Sequence, residues 1–351
     1  MTLITLRKQQ SPKCGVDIGS SWGKVAKLAV KRRRVSLESV GRMAWQPKEL
    51  EKPAAMGGRI RSLWEALDLK DRVVVSSMAG HAVIVKRVLF DRASQKDMAA
   101  NVQEQAKQYI PFDINDVYLD YQVMKEEPEG KNLDVMLVAS KKKVVQDLIG
   151  VLEKAGLSLN VVDVDAFALS NCFEYNYPDY TDAPVYLWDI GGQQSVFCVY
   201  WQNQPLFFRE MNVGGRHVTD ALAGALNLNR SEAEKIKLEG PDGLTEDQKS
   251  AVQDKLQSLF EGWSSEVKRL VGFYLNSMPE AEPAKKLMLS GGGSLLPGLR
   301  KAMAAGLELE VERFDPWRQI AVDSNRFDFK YIKSVAPQFA VATGLGLRGV
   351  I

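Results

Sequence analysis

Gly15 to Lys24 reads GVDIGSSWGK, and Tyr186 to Ser195 reads YLWDIGGQQS. Each continues an apolar, strand-like run, and both share an Asp-Ile-Gly core, as if one tight hairpin were used twice. Glycine lets the main chain take positive φ and approach an anion closely, so successive N–H groups can converge on phosphate oxygens. Two such hairpins facing each other can hold a nucleoside triphosphate. Asp17 and Asp189 would then hold a hydrated Mg²⁺, which keeps several waters and needs few protein carboxylates. A third turn, LMLSGGGSLLPG from Leu287 to Gly298, passes from an apolar strand through Gly291, Gly292, Gly293 and Ser294 toward a helix. That shape suits the flat face of a nucleoside. A single turn of this kind is a weak signal, and the order and spacing of all three carry the reading.

The chain has 351 residues, enough for about two domains that each bury a core. Its 45% hydrophobic and 26% charged residues are those of an ordinary globular protein, and a net charge of +2 gives no reason to expect nucleic acid as a partner. Lys31 to Arg34 (KRRR) and Lys141 to Lys143 (KKK) are local exceptions, read as a solvated hairpin tip and a helix start, with contact to acidic lipid or an acidic partner as the alternative. Cys14, Cys172 and Cys198 are odd in number and never form a C-x-x-C pair, which argues against a disulfide framework or zinc site and fits a reducing cytoplasm. No apolar run approaches the roughly 18 residues of a membrane span, and the first residues lack a signal-peptide core. A cytoplasmic location is expected, with contact to a membrane only through a partner.

Alternation predicts a hairpin after the first glycine turn, and helical spacing predicts a short helix over Ile60 to Leu67. Strands are expected over Arg72 to Ser77, Ala82 to Phe90, Val117 to Met124, Asp134 to Ala139 and Leu159 to Val164. Helices are expected over Lys96 to Tyr109, stopped by Pro111, over Val144 to Ala155 with Gly156 at the C-terminal end, and over Ala166 to Asn176. The block from about 82 to 157 reads as an α+β module inserted in a first domain of residues 1–182, and the stretch Pro178 to Pro184 as the linker. From Val185 the pattern repeats, with a glycine turn, a hairpin Val196 to Phe208 across Gln202 to Pro205, and a helix Arg216 to Leu226, which points to internal duplication. The second domain is placed at 183–333, with a helical part at about 216–283. A final apolar helix, Val335 to Leu347 within 334–351, should return to the first domain. Glu234 and Lys237, three apart on one helix face, can reach ribose hydroxyls and adenine.

Other chemistries fit poorly. Gly23-Lys24 approaches the Walker phosphate loop, but Ile18 stands where its first glycine belongs and Val25 follows the lysine. GLGLRG (Gly344 to Gly349) spells a dinucleotide fingerprint without the helix and acid that should follow it. No G-x-S-x-G elbow is present, and His81 and His217 are isolated.

With these motifs in place, the chain resembles the actin-like ATPase superfamily, and within it the PilM family of type IV pilus assembly. The resemblance covers nearly the full length. It rests on GVDIGSSWGKVAKL, on YIPFDINDVYLDYQVM (Tyr109 to Met124), on NVGGRHVTDALAGALNLNRSEAEKIK (Asn212 to Lys237), on the GGGS turn and on PQFAVATGLGLR (Pro337 to Arg348). It implies an α/β actin-like ATPase fold of duplicated ribonuclease-H-like domains with an inserted α+β subdomain. It implies ATP and Mg²⁺ as ligands. Asp17, Gly19, Ser20, Ser21 and Lys24 fall in the first phosphate motif, and Asp189, Gly191, Gly192 and Gln193 in the second. Gly214 and Gly215 open the next helix, Glu234 and Lys237 match the ribose and base pair, and Gly291 to Ser294 match the adenosine loop. Asp165 matches the place where superfamily members put an acid or Gln near the attacking water.

Gln193 and Gln194 precede Ser195 where a hydroxyl usually follows the second Asp-x-Gly, and Trp22 puts a ring in the first loop. Binding with weak or no hydrolysis is therefore expected. The resemblance further implies a partner, the cytoplasmic N-terminal segment of the inner-membrane protein PilN, with links to the pilus motor ATPases and self-association compatible with the family. The apolar strands and the Ile110-Pro111-Phe112 corner of the inserted module suit an extended peptide lying in the cleft between the module and the first core. The alternatives are an FtsA-like polymerising ATPase, for which no amphipathic helix follows the core before Ile351, and a small-molecule kinase, for which no catalytic Asp base or sugar pocket is legible.

Overall fold

The computed structural model describes residues 4–5, 14–46, 48–80, 83–91, 98–126, 132–277 and 281–350. His81, Ala82 and Lys96, named above, lie outside them. In chain order the strands are β1 (Ile4–Thr5), β2 (Cys14–Ile18), β3 (Trp22–Lys31), β4 (Arg34–Ala44), β5 (Val73–Met78), β6 (Val83–Asp91), β7 (Val117–Glu126), β8 (Asn132–Lys141), β9 (Ser158–Val164), β10 (Val185–Ile190), β11 (Ser195–Trp201), β12 (Gln204–Met211), β13 (Lys286–Ser290) and β14 (Glu310–Arg313). The helices are α1 (Pro53–Ala66), α2 (Met98–Ala106), α3 (Lys142–Lys154), α4 (Asp165–Asn176), α5 (Gly215–Leu226), α6 (Arg230–Glu239), α7 (Glu246–Ser277), α8 (Leu299–Leu307), α9 (Phe329–Val335) and α10 (Ala340–Leu347).

The two large sheets repeat one another. One runs β1-β9-β5-β2-β3-β4 and the other β12-β11-β10-β13-β14. Outward from β2, as from β10, two antiparallel strands lie on one side and two parallel strands on the other. Even the hairpin tips agree. Arg32 and Arg33 close the first at φ 49° and 64°, and Gln202 and Asn203 the second at 51° and 60°. Two left-handed residues give the turn whose twist matches its flanking strands. Against the expected connection Gln202 to Pro205, the turn is Gln202–Asn203 alone; Pro205 lies in edge strand β12 beside a register shift, where a missing N–H is tolerated.

The helix expected at Ile60 begins earlier, at Pro53, which occupies the first turn where its missing N–H costs nothing. Gly57 lets α1 meet α3, since a Cβ there would lie 2.5 Å from Lys154 Cβ. That contact bears on the inserted module. Strands β6, β8 and β7 form a separate sheet covered by α2 through Phe90, Val102, Ala106, Ile110 and Leu137. Met136 and Val138 point to the other face of β8, where they join Val145, Val151 and Leu152 of α3 and Ile60 and Trp64 of α1 in the core of the first sheet. Helix α3 thus packs on α1 and on β9 of the first sheet as well as on the inserted strand β8.

Helix α4 is buried over most of its length and packs between the two large sheets, with Leu169, Cys172 and Phe173 set against Leu187, Cys198 and Phe314. The segment after it is pinned rather than free: Arg318 donates to both oxygens of Asp179 at 2.5 and 2.9 Å and covers the Tyr177 ring at 4.9 Å. The final helix expected over Val335 to Leu347 is interrupted. Ala336–Phe339 forms a 3₁₀ turn around Pro337, which cannot donate an N–H to a continuing helix. Beyond it α10 is buried on every side and rests on α4, β2 and β3.

All three cysteines lie in these interiors. Burial pushes the Cys14 and Cys198 thiols up to about 12 and raises Cys172 as well. Since the thiolate is the reactive form, a thiol reagent at pH 8 should find no fast-reacting cysteine in the folded chain and all three after unfolding. A fast thiol in the folded chain would contradict the packing around that residue.

Candidate functional site

The first turn, Gly19 to Ser21, joins β2 to β3, and the second, Gly191 to Gln194, joins β10 to β11. They meet face to face: a Cβ on Gly192 would stand 2.1 Å from Ser21 Oγ and 2.9 Å from Ser20 Oγ, so a larger residue there would have to displace the seam's serine side chains. Beside the seam opens a cavity of about 860 Å³ that reaches Asp17, Lys24, Asp165 and Asp189, Glu234 and Lys237 on α6, and Gly292 and Gly293 of the third turn. The fold thus brings the three glycine turns to one cavity.

Its floor is acidic. Asp17 accepts from Lys24 Nζ at 2.5 Å, and Asp189 accepts from Ser290 Oγ at 2.7 Å. Burial, then the charges of Asp17 and Asp189, hold the Asp165 carboxyl at about 7, against a hydrogen bond from Ser77 and the charge of Lys24. Burial also raises Asp189, opposed by Lys24 and Ser290. For Lys24 burial works downward, yet Asp17, Asp189 and Asp165 together hold it above the usual lysine range. Three carboxyl groups therefore share one ammonium, a donor set that a hydrated divalent cation would complete. No group of three or more side chains poised to ligate a metal directly occurs among the described residues.

The third turn divides its labour. Gly291, at φ 77°, and Gly293 pack on Ile190, where a Cβ would lie 2.4 and 2.2 Å from Ile190 atoms. Ser294 is fully buried and donates to the Gly291 carbonyl at 2.7 Å, so it shapes the turn from behind. Only Gly292 and Gly293 of this quartet line the cavity, joined by Leu295, Leu296 and Pro297. At the second turn the carbonyls of Gly191 and Gly192 accept from the Gly215 and Arg216 amides at 3.0 and 2.7 Å, seating α5 on the turn. A Cβ on Gly214 would meet Gly192 O at 2.8 Å.

Lys237 donates to Glu234 at 2.6 Å, to Thr219 Oγ1 at 2.9 Å and to Gly215 O at 3.2 Å. It is the more buried partner and holds the start of α5, while Glu234 keeps the more open face toward the cavity. Ser195 is buried and accepts from Trp188 Nε1 at 2.9 Å, and the hydroxyls that stand at the seam are those of Ser20 and Ser21. The Trp22 ring lies under the Arg42 guanidinium at 4.7 Å.

Several residues of this site carry no signal in the sequence: Ser77 and Ser290, which tune the carboxyls; Arg42, bonded to Gln338; Glu210, bonded to the Gly80 amide; and Arg216, which bonds across the seam. Each is an ordinary polar residue until the fold supplies its partner.

The family profile described as type IV pilus assembly protein PilM matches residues 15–350. The chain belongs to the PilM family. A solved PilM–PilN type IV pilus biogenesis complex is similar at TM-score 0.84 and 28% identity, covering 96% of this chain and 98% of that one. Ethanolamine utilization protein EutJ from Carboxydothermus hydrogenoformans is similar in fold, with TM-score 0.55, 13% identity, and 98% and 92% of the two chains covered. Cell division protein FtsA of Bacillus subtilis (strain 168) is 22% identical over 234 residues, 62% of this chain and 50% of FtsA, so the match spans half the length of that relative. The chain is therefore a type IV pilus assembly protein of the PilM family, with the α/β actin-like fold. Among the described residues no helix is long and apolar enough to cross a membrane.

Proposed function

We propose that this PilM-family chain binds Mg-ATP between its two halves and holds an extended N-terminal segment of a PilN-like membrane protein, joining that partner to the pilus assembly motor from the cytoplasmic side. The observation that carries the reading is the convergence of both Asp-Ile-Gly turns and the third glycine turn on one cavity with an acidic floor. Asp17 and Asp189 would hold the hydrated cation, Lys24 and the amides of the first two turns the phosphates, and Glu234 with Gly292 and Gly293 the nucleoside. Holding rather than turnover is the expected role. Gln193 and Gln194 stand where a hydroxyl usually follows the second Asp-x-Gly, and the residue assigned to orient water is Asp165, one of several carboxyls on the cavity. Phosphate release at ordinary kinase rates, about 1 to 100 per second, would count against it.

The partner reading is supported by the similar PilM–PilN complex and by a feature of this chain. The cavity continues past Met78, Ala79 and Gly80, at the root of the inserted sheet, to Val144 and Leu148, which are half-buried one turn apart on α3. An extended peptide seated there would place alternate apolar side chains in pockets. Removing one such contact costs about 1.5–3 kcal/mol, roughly tenfold to a hundredfold in affinity. Val144→Glu and Leu148→Glu should each weaken a synthetic PilN N-terminal peptide by at least about tenfold while Mg-ATP binds as in the parent. If both variants keep the parent's peptide affinity, the partner sits elsewhere.

A further inference from the structure

The first phosphate turn is held from behind by its carbonyl oxygens. Gly19 O accepts from the Trp45 indole Nε1 at 2.8 Å, and Ser21 O accepts from the Trp45 backbone amide at 3.1 Å. Between them Ser20 O accepts from Arg216 Nη2 at 2.7 Å. Two of these three pins come from the turn's own half of the molecule. The third comes from the other half, since Arg216 is in α5 and its own amide is fixed on Gly192 O at 2.7 Å. Its second guanidinium nitrogen donates to Gln193 Oε1 at 3.2 Å, so one side chain ties both turns together, and both of these acceptors are uncharged.

In a trans peptide the C=O and the following N–H point in opposite directions. Fixing Ser20 O toward Arg216 therefore aims the Ser21 amide away from it. Ser20 and Ser21 line the cavity, and Arg216 is not among the residues that line it. Successive amides held this way make an anion seat. A guanidinium is suited to the task because its planar fork reaches two acceptors at once without losing charge at any working pH.

We infer that Arg216 is a positioning residue for phosphate: it pins the Ser20–Ser21 peptide across the seam, orients that amide toward the phosphates of a nucleotide, and makes the seat depend on closure of the two halves. This rests on the triphosphate reading of the cavity. The pin acts on phosphate groups alone, because the nucleoside contacts lie on α6 and the third turn.

The test is a comparison of ligands on the full chain. ATP with Mg²⁺ is titrated calorimetrically, and adenosine is followed by ligand-detected NMR, which reads weak binding. Arg216→Ala should lower ATP affinity by about tenfold or more, the scale of one charge-assisted contact, while adenosine affinity stays within about twofold and the melting temperature without ligand barely moves. Arg216→Lys, which keeps the charge but offers a single point donor, should recover part of the loss. If ATP affinity is unchanged in Arg216→Ala, or if ATP and adenosine weaken together, Arg216 is not a phosphate-positioning residue. If the parent chain itself binds no ATP, the triphosphate reading fails first and the inference falls with it.

Discussion

Gly344→Val should leave no cooperatively folded chain. A Cβ at Gly344 would stand 1.8 Å from the carbonyl oxygen of Ala168 and 2.6 Å from its carbon, both backbone atoms of α4 that no rotamer change can move. On another side of the same helix, Gly15 of β2 is equally close: its Cβ would lie 2.0 Å from Ala342 O. Helix α10 is thus wedged between α4 and the first sheet, and pushing it off one surface drives it into the other. The whole element would have to detach, exposing Val341, Leu345 and Leu347 and uncovering Val75 and Ala168.

Small-to-large substitutions in a packed interior commonly cost about 1–3 kcal/mol when neighbours can give. Here they cannot, and the loss should exceed the roughly 5–15 kcal/mol margin of an ordinary domain. Gly58→Ala is the control, since a Cβ on that exposed face of α1 meets nothing within 4 Å, and it should be neutral or stabilise by about 0.5–1 kcal/mol. Circular dichroism melts compare the two. A Gly344→Val chain melting within a few degrees of the parent would show that α10 is not wedged.

Gly344 also shows where sequence reading stops. GLGLRG is correctly dismissed as a dinucleotide fingerprint, but nothing local says that its first glycine is needed for a helix crossing. The same holds for Gly57, whose PAAMGG context hides the start of α1 because the reason for glycine lies on α3. What is legible is what physics writes locally. The Asp-Ile-Gly turns, the alternating hairpins and the strand leading into GGGS show in the chain because each depends on its own backbone geometry, and together they give the duplicated sheet order.

Allegiance between elements is not written locally. Helix α3 follows the inserted strands without a break yet packs on α1, and its amphipathic pattern is the same for either partner. Likewise the sequence marks Gly291 to Ser294 as one motif, while the fold turns Gly291 and Ser294 inward and leaves Gly292 and Gly293 on the cavity. Arg216 is a single arginine at a helix start until the other half of the chain supplies Ser20.

The central claim is that a triphosphate and its cation sit between the two turns, and the acidic floor gives it a sharp consequence. Asp17 both partners Lys24 and faces the cavity, while Asp189 holds the matching place on the second turn. Replacing either carboxylate by its amide keeps the shape but removes a negative charge that would hold the hydrated Mg²⁺. For Asp17 it also frees Lys24 from its ion pair. Charge-assisted contacts of this kind are worth about 1.5–3 kcal/mol each, and loss of the cation adds the phosphate charge that it neutralised. The most direct measurement is therefore calorimetric titration of the full chain with ATP and Mg²⁺, beside Asp17→Asn and Asp189→Asn variants shown by their melts to be folded. The parent should bind at one site per chain, with affinity lowered about a hundredfold or more in each variant. Variants that bind Mg-ATP as tightly as the parent, or a parent that binds none, would contradict the account.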